Sequence, residues 1–301
     1  MTTKHKENNT EKKTILLDSY IVLDSIGSGS FGEVYKARRK TTDTLVAMKT
    51  EDRKKVSRIE HEYKIYKKLK KNNVVKIIPD IYDFIQTPTY NIMCMELLGP
   101  CLEDLFSKNG RKFSLATVLK LGEDLVKILH KIHSSNFIHR DIKPNNFLIG
   151  LEGNLSSVYV MDFGLSKRYI DNRGDHMKFR NGRSLIGTAR YASLNMHMGI
   201  EPSRRDDLES IGYMLIYFAN GSLPWQGLKK KKDHSQIEVI GEVKLGTSLK
   251  HLCGNLPECF SEYIIYCRNL KFDEIPDYDY LSHLFSQTYK SGGFRGEYDW
   301  V

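Results

Sequence analysis

Up to about residue 98 the apolar residues of this chain alternate with polar ones, and beyond it they recur every three or four positions. In the first part, Tyr20-Ile21-Val22-Leu23, Glu33-Val34-Tyr35-Lys36-Ala37, Leu45-Val46-Ala47-Met48-Lys49 and Tyr90-Asn91-Ile92-Met93-Cys94-Met95 read as strands separated by turn signals. A period of two places alternate side chains on one face of a sheet. One helix interrupts them: Ser57-Arg58-Ile59-Glu60 has the spacing of a capping box, and Ile59, Glu62, Tyr63, Tyr66 and Leu69 then share a face. Past Gly99-Pro100, the stripe Val118, Leu121, Leu125, Ile128, Leu129 and Ile132 predicts an amphipathic helix from a Ser114 cap to a break at Asn136. Ile211 to Tyr217 is nearly all apolar and predicts a helix buried in the core. The expected fold class is α+β, with a small β-rich lobe over residues 14–98 and a larger helical lobe over 99–301. Residues 1–13 carry no apolar periodicity and are expected to form a flexible leader, since nothing in them offsets the entropy of ordering.

Composition narrows this picture in three ways. With 301 residues, 40% of them hydrophobic, the chain can bury a sizeable core. Its longest apolar run, Ile211 to Ala219, is far shorter than the roughly 20 residues of a membrane helix, and no signal peptide opens the chain, so a non-secreted protein without membrane partners is expected. The five cysteines, Cys94, Cys101, Cys253, Cys259 and Cys267, are odd in number and lack a Cys-x-x-Cys pair. That spacing argues against a disulfide framework or a zinc site and favours a cytoplasmic or nuclear setting, with the cysteines as packing residues. The net charge of +9 suggests an anionic partner without saying which.

Two short segments supply candidate chemistry. His139-Arg140-Asp141-Ile142-Lys143-Pro144-Asn145-Asn146 and Asp162-Phe163-Gly164 together offer an acid, a lysine and two oxygen ligands. Phosphoryl transfer needs that set, because its charged, loose transition state asks the protein to align a hydroxyl and surround phosphates with cations. Asp141 can take a hydroxyl proton, and Asn146 and Asp162 suit Mg²⁺. Gly27-Ser28-Gly29-Ser30-Phe31-Gly32-Glu33-Val34 also fits a dinucleotide-binding motif, with Asp52 twenty positions after Gly32. In that fold the motif opens a helix. Strand residues follow it here, so a strand-loop-strand lid whose small residues let backbone N–H groups approach phosphates is the better reading, with a plain glycine turn as its rival. Lys49 ends the strand after the lid. Glu62 faces inward among apolar residues, where an unpaired carboxylate is costly, so a Lys49–Glu62 ion pair is expected; Glu60 is the rival partner but suits the capping box better.

From about Tyr20 onward these motifs make the chain resemble a eukaryotic protein kinase, and more narrowly the casein kinase 1 family. The general resemblance rests on Gly27, Gly29, Gly32, Val34, Lys49, Glu62, the 139–146 run, Asp162-Phe163-Gly164, and Asp207 with Gly212. The narrower one rests on Met95-Glu96-Leu97-Leu98-Gly99-Pro100, Gly187-Thr188-Ala189-Arg190-Tyr191-Ala192-Ser193, Arg204-Arg205-Asp206-Asp207-Leu208-Glu209-Ser210 and Gly221-Ser222-Leu223-Pro224-Trp225-Gln226-Gly227. The resemblance implies a bilobal kinase fold and a serine/threonine kinase using ATP and Mg²⁺. It implies Asp141 as the residue that orients the hydroxyl and accepts its proton, Lys143 at the transferring phosphoryl group, and Thr188 fixing that pair. Ala47, Met95 and backbone groups of Glu96 and Leu98 would line the adenine, Asn146 and Asp162 would hold Mg²⁺, and Asp207 would tie the catalytic loop to the buried helix. His139 reads as a packing residue. The usual Ala-Pro-Glu is absent, with Ser193-Leu194-Asn195 near its place, so the activation segment must be anchored differently.

Between Lys167 and Arg190 lie seven Lys or Arg against Asp171 and Asp175. Arg173, Lys178 and Arg180 read as a solvated loop, whereas the resemblance brings Arg140, Lys167, Arg183 and Arg190 toward the substrate cleft. Guanidinium groups there can bind phosphate bidentately, so acceptors preceded by acidic or phosphorylated residues are expected. Gln236 stands where relatives often carry a lysine, after the displaced run Lys229 to Lys232, which puts the strength of the anion pocket and a nuclear signal in question. The chain ends at Val301 without a long tail, and a constitutively active monomer is the expectation. A catalytically weak scaffold and a basic nucleic-acid-binding protein are the alternatives. No expected catalytic position is replaced, and no nucleic-acid module or basic-aromatic interleaving stands out.

Overall fold

The computed structural model describes residues 17–29, 32–53, 57–229 and 234–301. The expected leader over 1–13, the lid tip Ser30-Phe31 and Lys230 to Lys232 of the lysine run lie outside the described residues.

The alternating segments pair as an antiparallel sheet of five strands, β1 (Tyr20–Gly29), β2 (Gly32–Arg39), β3 (Leu45–Asp52), β4 (Ile81–Gln86) and β5 (Tyr90–Glu96), in the order β1-β2-β3-β5-β4. In the β3–β5 register, Ala47 faces Met95 and Lys49 faces Met93. β4 escapes the alternation rule because Ile81, Asp83 and Phe84 all remain half-buried, so its two faces do not contrast in polarity.

The interrupting helix, α1 (Arg58–Lys71), buries Ile59, Glu62, Ile65, Tyr66 and Leu69, while Tyr63 is only half-buried and stacks on Phe84. The Ser57 side chain accepts from the Glu60 N–H, but the Glu60 carboxylate pairs with Lys64 instead of returning to the cap. The expected capping box is therefore half made.

The chain then crosses into a helical half that carries α2 (Leu102–Lys108), α3 (Leu115–Ser134), α4 (Leu194–His197), α5 (Arg204–Asn220), α6 (Gln236–Gly246), α7 (Leu249–Cys253), α8 (Glu258–Asn269) and α9 (Tyr278–Ser291). α3 begins at the Ser114 cap and ends just before Asn136, which adopts a left-handed φ of 68°. α5 packs between α3 and α8 and buries every residue from Asp206 to Ala219. Two short ribbons, β6 (Phe137–Ile138) with β9 (Lys167–Arg168) and β7 (Phe147–Ile149) with β8 (Val158–Val160), lie beside these helices. They hold the segment 139–146 and the Asp162-Phe163-Gly164 turn between their strands. All five cysteines are free, and among the described residues no helix is long and apolar enough to cross a membrane.

Candidate active site

The β3 strand delivers Lys49 and α1 delivers Glu62 to one point. Lys49 Nζ lies 2.7 Å from Glu62 Oε2 and 3.1 Å from Asp162 Oδ1. Burial opposes both charges. It pushes the Glu62 carboxyl up to about 7 against the pull of Lys49, while Glu62 and Asp162 outweigh burial at Lys49 and raise its ammonium above its usual range. Asp162 is held below the ordinary carboxylate range, burial being overcome by Lys49. Its backbone is left-handed, with φ 66°, and the buried Phe163 that follows meets Tyr66 edge-on at 5.0 Å.

Asp141 sits on a loop whose shape is set by another carboxylate. Asp207, at the buried start of α5, accepts from the N–H groups of His139 (2.7 Å) and Arg140 (2.8 Å) and also meets His133 Nε2 at 3.0 Å. Those bonds hold Arg140 at φ 68°, a conformation costly for a side chain with a Cβ. His139 is fully buried, with Nε2 3.0 Å from the Met161 carbonyl and its ring 5.2 Å from that of Phe163.

The Asp141 carboxylate is consequently fixed on both oxygens. Oδ1 accepts from Thr188 Oγ1 at 2.8 Å and Oδ2 from Lys143 Nζ at 2.6 Å. Asn146 donates its amide N–H to the Asp141 carbonyl at 2.8 Å, which leaves its side-chain oxygen for another partner. That oxygen and the Asp162 carboxylate are hard ligands of the kind Mg²⁺ takes, alongside phosphate oxygens. Gly187, one residue before Thr188, has φ 83°, and a Cβ there would fall 2.4 Å from the Arg140 carbonyl and 3.0 Å from Asp141 Oδ1. Only glycine lets the two loops meet so closely. Gly187 opens the 187–193 stretch, but its need for glycine is visible only where 139–141 and 187–188 touch.

Gly27 pairs with Val34 and Gly29 with Gly32 across the β1–β2 hairpin. Gly32 has φ 149°, and a Cβ there would strike the Thr50 carbonyl of β3 at 1.7 Å. Its glycine is thus required by packing of the lid strand on β3, whatever the lid covers. Ala47 and Met95 are buried opposite one another, and Val34 is half-buried. The Glu96 N–H is committed to the Asp80 carbonyl at 2.7 Å, so of that residue's backbone only the carbonyl could meet an adenine. Leu98 lies on the segment that crosses between the two halves.

Of the four cations expected at a substrate cleft, Arg140, Lys167 and Arg183 line one open cavity of about 460 Å³ with Glu201, Leu185, Ile186 and Met196. Glu201, which belongs to none of the sequence motifs, is buried and bridges Lys167 (2.7 Å) and Arg183 (3.0 Å). Despite burial, these two cations hold its carboxyl below the usual range. Arg190 is not among the lining residues: its guanidinium lies over the rings of Tyr191 and Tyr217. The expected set of four is therefore a set of three with one acid already installed.

The missing Ala-Pro-Glu anchor is replaced by α5. Ser193 Oγ donates to Asp206, the Leu194 N–H donates to Glu209 Oε1 at 3.2 Å, and Arg268 of α8 approaches the same Glu209 oxygen at 3.5 Å. An acidic residue of a buried helix does locally what a glutamate of the segment would otherwise do.

Sheet and helical halves thus meet at a lysine–glutamate–aspartate cluster, beside an aspartate braced by lysine and threonine, the chemistry that phosphoryl transfer needs. Residues 20–264 match the protein kinase domain, and the chain belongs to that family. It is a phosphotransferase of the bilobal α+β class, and a domain of this family uses ATP with Mg²⁺ and acts on protein substrates.

Proposed function

We propose that this kinase transfers the ATP γ-phosphate to serine or threonine, in the manner of casein kinase 1, and favours acceptors preceded by acidic or phosphorylated residues. The observation that carries the first half is the bracing of Asp141 by both Lys143 and Thr188. Asp141 orients the acceptor hydroxyl and takes its proton, a contribution of about 10² to 10⁴ in rate. Lys143 faces the transferring group, and Thr188 keeps the carboxylate turned toward it. Lys49, oriented by Glu62, steadies phosphate oxygens. Gly27, Gly29, Gly32, Val34, Ala47, Met95, Glu96 and Leu98 surround the nucleotide. Asn146 and Asp162 hold Mg²⁺, which neutralises phosphate charge when bound. We place the lobe boundary near residue 98 and the enzyme, as a monomer, in the cytoplasm or nucleus.

The cavity formed by Arg140, Lys167 and Arg183 supports the second half. Because Glu201 already neutralises one charge there, three cations against one acid leave a pocket suited to one phosphate or carboxylate. Gln236 starts α6 and donates to the Leu228 carbonyl at 3.2 Å, and as a neutral side chain it adds no cation. Lys167→Ala combined with Arg183→Ala should raise KM for phospho-primed peptides about tenfold or more, a loss in keeping with one charged hydrogen bond, and leave unprimed peptides within about twofold. Equal loss on both peptide classes would remove the priming preference and leave the kinase assignment intact.

A further inference from the structure

Lys244 is fully buried, on a helix that otherwise buries only Val239. Its ammonium donates to three main-chain carbonyls of the segment beside the active site: Ala189 at 3.1 Å, Arg190 at 3.3 Å, and Ala192. The rings of Tyr213 and Trp225 each lie 4.8 Å from Nζ, and the Trp225 indole donates to the same Arg190 carbonyl at 2.7 Å. A buried lysine is costly unless its charge is met, and here it is met almost entirely by backbone oxygens of one short stretch. That stretch is a tight turn in which the N–H groups of Tyr191 and Ala192 both return to the Thr188 carbonyl. Thr188 opens the turn and donates to Asp141.

We propose that Lys244 is the positioning residue of the acceptor side: its ammonium fixes the 188–192 turn and, through Thr188, the orientation of the Asp141 carboxylate. This rests on the reading of Asp141 as the group that meets the acceptor hydroxyl. Lys244 touches neither ATP nor acceptor. Without its charge the three carbonyls lose their common donor, and the turn that holds Thr188 loses its floor.

The charge is also titratable within reach of neutral pH. The charged and titratable groups facing Nζ are Glu209 and Tyr213 on α5, Arg268 on α8, and His197 on α4, whose Nε2 lies 3.2 Å away. Burial pushes the Lys244 ammonium down to about 7, with Glu209 pulling it up and Arg268 pushing it further down. Burial, and then Lys244 itself, press His197 down to about 4, so the imidazole is neutral throughout the working range. Burial keeps Tyr213 protonated. The ammonium is therefore present below about 7 and lost above it.

The test is steady-state kinetics of the full chain with a serine peptide, beside direct measurement of ATP affinity. Lys244→Met should lower kcat/KM for the peptide about 10²-fold, the scale of a small misplacement at a reacting centre, with ATP affinity kept within about twofold. In a Thr188→Ala background the same substitution should cost only about threefold, because the link it breaks is already gone. In the unaltered enzyme kcat/KM for the peptide should fall as pH rises through about 7 to 9 while ATP affinity does not, and this readout requires no variant to fold. Equal losses in the two backgrounds, or a flat peptide profile, would overturn the role of Lys244. No transfer by the unaltered enzyme at any pH would instead overturn the reading of Asp141 on which it rests.

Discussion

Asp141 has each carboxylate oxygen engaged by a different element, Thr188 from one loop and Lys143 from its own. Such a group cannot turn without breaking a charge-assisted bond. The family resemblance implied Thr188 fixing Asp141 with Lys143, and the cost of an unpaired inward carboxylate implied the Lys49–Glu62 pair. Glu201 and Lys244 could not be anticipated, because each acts on residues distant in sequence and neither belongs to a short pattern, and Gly187 stood in a quoted stretch that says nothing of its approach to Arg140. Arg190, which the resemblance brought toward the cleft with the other three cations, lies over two tyrosine rings instead of lining the cavity. The residue scale also carries a pH expectation. Burial raises the Glu62 carboxyl above its usual range against the pull of Lys49, so its charge is present at higher pH and is lost as pH falls, which leaves Lys49 to Asp162 alone. ATP affinity should therefore weaken between pH 8 and 6. Glu62→Gln should weaken it at pH 8 and flatten its pH dependence; an unchanged slope in that variant would place the titration elsewhere.

Among the elements, α5 organises the catalytic half. Its first turn supplies Asp206 to Ser193 and Asp207 to the loop before Asp141, and its second turn supplies Glu209 to Leu194. Periodicity revealed this helix through its apolar middle, Ile211 to Tyr217, and the resemblance implied the tie made by Asp207, but the burial of Asp206 and Glu209 left no mark in the apolar pattern. The reason is physical: those carboxylates are satisfied by backbone N–H groups and distant side chains, which a pattern of apolar positions does not register. β4 was missed for a related reason, its faces lacking polar contrast, and α6 because its main buried group besides Val239 is a lysine. Asp207→Asn should destabilise the fold by about 1–3 kcal/mol, as a buried N–H or imidazole loses its acceptor. Denaturant unfolding would measure that loss, and kcat should fall with it because Arg140 relaxes from its left-handed conformation. A variant of unaltered stability would mean that other contacts fix the loop.

On the scale of the whole molecule, the two halves are joined at the active site by Lys49, which reaches from the sheet to Asp162 of the helical half. The sheet half contributes Lys49, Glu62 and small residues, the helical half contributes Asp141, Asp162 and the cavity of Arg140, Lys167 and Arg183, and neither holds the whole arrangement. The expected α+β architecture was legible because period two gives way to helical spacing near the crossing. Family membership accounts for phosphoryl transfer, while the acceptor residue rests on Asp141, Lys143 and Thr188. The most direct measurement is phosphoamino-acid analysis after the enzyme acts on a library of serine, threonine and tyrosine peptides with labelled ATP and magnesium. Phosphoserine and phosphothreonine, concentrated in peptides with upstream acidic or phosphorylated residues and reduced about 10² to 10⁴-fold by Asp141→Asn, are the expected products. Phosphotyrosine as the main product, or transfer unaffected by Asp141→Asn, would contradict the account.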